Sequence, residues 1–486
     1  MSRHMGMHQS VGNRRRRTNL AGIAVLTISF AAVLSTVGCG NQYRPVVSAI
    51  GPVGPAGQQT KFAVAVSNPC PTLLPTCGSP GLVTVVDFSG DTVLSTPQVL
   101  ANPSYFQINA NGSQGFTINA QGSLDTFPLS NPSSLLTSDV VQTTLPIGSA
   151  PVSISAFAPA SGLLSIFIPQ AGSNSIAALN SGTAALYDTV GIQGGGTNPV
   201  YVVGASGTPR IYAISQNAAG SNGQVDAIET VSTISLSDSA QIPVGIKPVY
   251  GVMTPDDRRA FILNEGSGTV NVLNVPSNQL DVNKPSITVG SNPVWADLNN
   301  VDTELVVLNQ GDGVHAGSLS VINIPLCSSA AQATNPNCSS TNPVDATGFG
   351  QVLATVPVGI NPTMVSVLQG TDTNAPAAYV INQLDSTGTC GSGEGSVTVI
   401  NLLTDQVSAT ICGVSGSNAT AIANGTSNVI FGHPNSVSAT GGAPTGKVYV
   451  TASDNQYLSV IYTNTNTVQT HIPLQGNGLR VLVTAP

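Results

Sequence analysis

A short apolar strand that ends in Gly, with Pro a few residues later, recurs along this chain. Such recurrence restricts it to stacked copies of one supersecondary unit. The pattern is written Leu145-Pro-Ile-Gly148 before Pro151, Ile242-Pro-Val-Gly245 before Pro248, Ile287-Thr-Val-Gly290 before Pro293, and Val356-Pro-Val-Gly359 before Pro362. The junction prolines stand at 103, 151, 199, 248, 293, 362 and 434, so the gaps are 48, 48, 49, 45, 69 and 72 residues. A four-stranded unit takes roughly 40–50 residues. The two long gaps hold Cys327 with Cys338 and Cys390 with Cys412, and they read as loop insertions clipped by disulfides.

Each unit reads as four strands. From Pro248 these are residues 249–253, 260–264, 269–273 and 286–289, the first two joined by the turn Thr254-Pro-Asp-Asp257. Only 7% of residues are charged, but dense Val, Ile and Thr argue against disorder. The expected fold is all-β, a single β-propeller of four-stranded blades. Residues 479–486 read as a first strand with nothing after it, and residues 61–66, 82–87 and 92–99 read as the other three. Joining the ends closes the ring and hides its edges. Eight blades are expected, or seven if residues 418–442 carry no junction.

The run Val448-Tyr-Val-Thr451, then Ser459-Val-Ile461, then Thr463-Asn-Thr-Asn-Thr-Val468, together with the Val-Gly-x-x-Pro junctions, resembles the YVTN family of β-propeller repeats. The resemblance covers about residues 100–486. It implies the architecture. It implies no single activity, since these repeats are shared by envelope proteins, lactonase-like enzymes and unassigned proteins.

The N-terminus carries an address. Arg14–Arg17 precede an apolar run over residues 20–34, which ends at Ser35-Thr-Val-Gly-Cys39. This is a secretory pattern, and it resembles a bacterial lipoprotein signal in which Cys39 is lipidated. Thr36 stands where that signal usually has Leu. The alternative is an uncleaved single-span anchor. The expected parts are a signal peptide (1–38), a flexible tether (39–60) and the propeller (61–486), extracytoplasmic and membrane-anchored by lipid. Six further cysteines form local pairs, Cys70 with Cys77, Cys327 with Cys338, and Cys390 with Cys412. An oxidising compartment favours disulfides, although six cysteines allow fifteen connectivities. No zinc spacing occurs, and neither metal nor cofactor is expected. Beyond residue 39, 9 basic residues face 22 acidic ones, a net charge of −13, which excludes nucleic acid as a partner.

In a propeller the first strand of each blade edges the central channel. Two residues past each junction stand Tyr105, Ser153, Tyr201, Tyr250, Trp295, Met364 and Ser436, with Arg480 after Gly478. Four of these eight are aromatic, in a chain that is 5% aromatic. They either pack between blades or rim a pocket for a sugar or other flat ligand, with Asp297 beside it. Asp256, Asp257, Arg258 and Arg259 read as one solvated turn. His4, His8, His315, His433 and His471 fall in separate segments, and no catalytic set is expected. The reading is a monomeric binding or structural scaffold of the cell envelope, with a protein or glycan partner. The alternative is a lactonase-like hydrolase at the channel mouth, which a His beside Asp297 and Arg480 would favour.

Overall fold

The computed structural model describes residues 61–70, 78–119, 122–146, 148–232, 235–299, 303–324, 348–368, 376–415 and 428–484. Among these residues there is no α-helix, only strands and three single-turn 3₁₀ helices. The strands form antiparallel sheets, apart from the parallel pairing of Gln406–Val414 with Ile430–Phe431, and all but one sheet follow chain order. One sheet runs Pro103–Ile108, Gln114–Asn119, Ser123–Pro128, Val141–Thr144. Six sheets have four or five strands and a seventh has eight. The long one forms because Gln351–Val367 ends the unit begun at Pro293–Leu298 and also starts the next.

The chain's two ends share one sheet. Asn477–Val483 pairs with Phe62–Asn68, from Ala63 opposite Val483 to Asn68 opposite Asn477. Phe62–Asn68 then pairs with Pro80–Asp87, and that strand with Val93–Ser95 and Gln98–Ala101.

The junction motif has a local cause. Asn102, Ala150, Asn198, Lys247, Asn292 and Asn361, each just before a junction Pro, have φ between 46° and 57°. Asn is the non-glycine residue best suited to this left-handed region. The Pro itself costs no ladder bond, because the innermost strand is a sheet edge. A register shift follows at once, between Pro and the second residue after it, as at Pro103/Tyr105, Pro199/Tyr201, Pro248/Tyr250 and Pro293/Trp295. Such bulges re-aim side chains. The Gly of the motif is steric. A Cβ on Gly245, Gly290 or Gly359 would come within 2.7, 2.7 or 2.4 Å of the side chain of Asn264, Asn309 or Asn382. These asparagines are buried clamps. The Asn382 amide donates to Ser396 Oγ (3.1 Å) and Thr398 Oγ1 (2.9 Å), and its oxygen accepts from Gly359 N (2.9 Å).

Strict polar–apolar alternation fails in the middle strands. Arg259–Asn264 and Ser165–Gln170 are buried at every position, because sheets lie against both of their faces. Seven apolar clusters each join one sheet to the next, and an eighth packs the two halves of the eight-stranded sheet together. One of them sets Tyr449, Leu458 and Val460 against Ala63, Val86, Phe88 and Val481, linking the last full sheet to the sheet shared by the chain ends. Cys390 and Cys412 form the expected disulfide, with a Cα separation of 5.2 Å. Cys39, Cys77, Cys327 and Cys338 lie outside the described residues, and so does the signal segment.

Candidate functional site

The residues two places past the junctions converge on one another. Tyr201 and Tyr250 have ring centroids 4.6 Å apart, and Tyr250 stacks on Trp295 at 4.3 Å and 17°. The Arg480 guanidinium carbon lies 4.3 Å from the Tyr105 ring centre and 5.4 Å from that of Trp295. The same aromatics also edge the clusters between sheets. The two expectations of packing and pocket rim therefore describe one layer.

This layer separates two cavities. The first, about 200 Å³, touches the strand starts: Ser104, Thr363, Asn435 and Leu479, with Tyr105, Trp295, Met364 and Arg480. The second, about 340 Å³, lies further along the strands, at Gln107, Asp297, Ser366, Ser438 and Leu482. Trp295, Met364, Ser436 and Arg480 bound the first cavity together with Tyr105. Burial pushes the Tyr201 and Tyr250 hydroxyls above the ordinary tyrosine range, so both are neutral donors.

The backbone on the open side of these first strands needs partners, and side chains of first strands in neighbouring units supply them. Ser153 Oγ donates to Val200 O (2.8 Å) and Ser155 Oγ to Val202 O (2.6 Å). Ser366 Oγ accepts from Ala439 N (3.0 Å), and Ser436 Oγ accepts from Val481 N (3.2 Å). Asp297 has the same task. Its Oδ2 accepts from Val367 N (2.8 Å) and its Oδ1 from Leu298 N (2.9 Å). Burial raises its pKa to about 6 against the pull of these two amides. Both oxygens are thus engaged, and Asp297 acts as a joint between strands on the cavity wall.

Arg480 differs from the other buried guanidinium groups. Arg210 faces Glu229 at 2.6 Å and Arg259 faces Asp281 at 3.1 Å. Among the described residues no carboxylate pairs with Arg480, and its buried Nε has no acceptor. Arg259 is also a correction to the solvated turn expected at residues 256–259. It is 6% exposed, and its ion pair with Asp281 is inside the protein.

No described histidine lines either cavity. His471 stacks on Phe431 at 3.6 Å, and burial lowers its pKa to about 4. His433 Nδ1 meets Asp454 Oδ2 at 2.7 Å and its Nε2 meets Gly393 O at 2.8 Å. Both partners only accept, so this ring carries two protons. His315 pairs with Asp312 on the surface. His4 and His8 lie outside the described residues.

The sequence reading missed a carboxylate pair, Asp226 with Asp238, on neighbouring strands of one sheet. Their Oδ2 atoms have no donor. Burial, then the charge of Asp238, raises the Asp226 pKa, and a shared proton satisfies both oxygens. The folded value exceeds the unfolded one, so the pair's contribution is full below about pH 4 and is lost as pH rises through the folded pKa. Asp226→Asn is expected to stabilise the protein by about 1–2 kcal/mol at pH 8 and by little at pH 4. Urea unfolding at the two pH values measures this, and equal effects at both would refute the shared proton.

No protein-family model matches the chain, and no curated protein matches its sequence. Solved structures do match. The dihydro-haem d1 dehydrogenase NirN, in complex with its ligand, aligns with a TM-score of 0.57 at 10% identity, over 86% of this chain and 74% of that one. A 6-phosphogluconolactonase-like protein of Bacteroides fragilis aligns at 0.45 and 13% identity, over 88% and 99%. A protein of Lactobacillus plantarum aligns at 0.44 and 14%, over 72% and 95%. These neighbours are β-propeller proteins, and at such identities the likeness shows the fold alone.

Proposed function

We propose that the sheets close into a ring of eight blades that serves as a binding module, with its ligand site at the channel mouth. The ring is held outside the cytoplasm by a lipid on Cys39. The observation that carries the site is the layer of Tyr105, Tyr201, Tyr250, Trp295 and Arg480, with a cavity at the strand starts. Seven clusters between sheets, an eighth between the halves of the eight-stranded sheet, and the head-to-tail strand pairing support the closed count. Read as a hydrolase instead, the mouth would need a base free to take a proton. Asp297 is held by two amides and no described histidine is near, so binding is the better reading.

The chain has a single Trp, so intrinsic emission reports this site directly. Titration of the full chain with a panel of sugars, aromatic acids and aromatic amides is expected to give a saturable change in Trp295 emission with at least one class. Lactone hydrolysis abolished by Asp297→Asn, without any such binding, would replace this reading with the enzymatic one. Cys39→Ala is expected to move the protein from membranes to the soluble fraction; retention there would point to an uncleaved span.

A further inference from the structure

The bonding state of Arg480 narrows the ligand class. A guanidinium has five N–H donors in its plane. Tyr105 and Trp295 flank it, and a cation–π contact does not by itself replace hydrogen bonds to the in-plane donors. Its buried Nε has no acceptor, and it has no ion pair among the described residues. Where the fold holds a half-buried or buried guanidinium for structure it provides a carboxylate, as for Arg210 and Arg259. The cavity at the strand starts adds only hydroxyls and an amide, from Ser104, Thr363, Asn435 and Ser436, and no acid. Asp297 does not border this cavity and lines pockets beyond the aromatic layer.

Resting on the channel-mouth reading above, we propose that the ligand is a small organic anion. Its carboxylate-sized group pairs with Arg480 and its small apolar body packs beside Trp295 and Met364. A guanidinium takes a carboxylate through two parallel N–H···O bonds, and the side chains beside it in the cavity present apolar surface. The cavity is small, about 200 Å³, which suits one ring bearing one acid group. An uncompensated cation in a chain of net charge −8 also makes this mouth attractive to anions within an otherwise repelling surface.

The test uses the full chain with benzoate and its neutral isostere benzamide, read by Trp295 emission and by calorimetry. Benzoate is expected to bind about tenfold or more tightly than benzamide, and to weaken as salt rises. Arg480→Gln is expected to remove that preference while leaving benzamide unchanged, and Arg480→Lys to restore part of it. Equal affinity for the two probes in the unmutated protein would overturn the anion inference and leave the binding reading standing. Undiminished benzoate binding in Arg480→Gln would overturn it too. Absence of any response to either probe would count against both. The probe comparison in the unmutated protein decides the matter even if the Arg480 variants fail to fold.

Discussion

Removal of residues 477–486 is expected to abolish cooperative folding. Asn477–Val483 is the innermost strand of the sheet whose other strands begin at Phe62, some 420 residues earlier in sequence. Its side chains serve two clusters at once, Val481 and Val483 on one face, Leu479 and Leu482 on the other. Asn435 binds it from the preceding sheet through the carbonyls of Gly478 (2.8 Å) and Leu479 (3.3 Å). Without it Ala63, Val64, Ala65 and Val66, all fully buried, become an open apolar edge. Burial of a Val or Leu side chain is worth roughly 1.5–3 kcal/mol, so losing the buried Val481 and Val483 alone costs about 3–6 kcal/mol, a large share of a domain's stability of about 5–15 kcal/mol. Circular dichroism melts measure this. A deletion variant with an unchanged, sharp transition would defeat the view that the tail completes a sheet.

Lys447→Ala is expected to cost about 3–5 kcal/mol, the usual penalty for stripping one partner from a buried ion pair. Lys447 is 3% exposed. Its Nζ donates to Phe88 O (2.6 Å) and Asp91 Oδ2 (2.8 Å) and lies near the rings of Phe88 and Tyr462. It thereby joins the last full sheet to the one the two termini share. Burial already raises the Asp91 pKa, with Lys447 and the Tyr462 and Tyr449 hydroxyls opposing the rise. Loss of Lys447 raises it further. The penalty should therefore grow as pH climbs from about 4, since the folded protein then has to hold an unpaired carboxylate. The double variant Lys447→Met with Asp91→Asn is expected to recover at least half the loss. Urea unfolding at pH 5 and pH 8 checks both statements, and a pH-independent loss would refute the charge argument.

The legible parts of this molecule are those with local causes. The junction is visible because a left-handed residue before Pro selects Asn, and because Gly245, Gly290 and Gly359 press on buried asparagines. The strands from Pro248 onward begin and end within a residue or two of their expected bounds. The aromatic positions were legible from their fixed distance to the junction. Their stacking on one another and on Arg480 was not, because the contact joins strands from different sheets. The pairs Lys447–Asp91, Arg259–Asp281 and Asp226–Asp238 were missed for a related reason. Their partners are set by packing between sheets and by strand register, and no spacing in the chain encodes either. A charge opening the otherwise apolar run Lys447-Val-Tyr-Val was the one available signal that a buried partner existed.

The amino-acid order alone determined the repeating unit, its turns and the residues carried to the strand starts, because backbone conformation and periodic burial are decided over a few residues. Folding in three dimensions decided which of those residues meet. It made Asp297 a joint held by two amides and left Arg480 a cation with aromatic neighbours and, among the described residues, no counter-charge, since burial and charge pairing depend on neighbours that only sheet-against-sheet packing supplies.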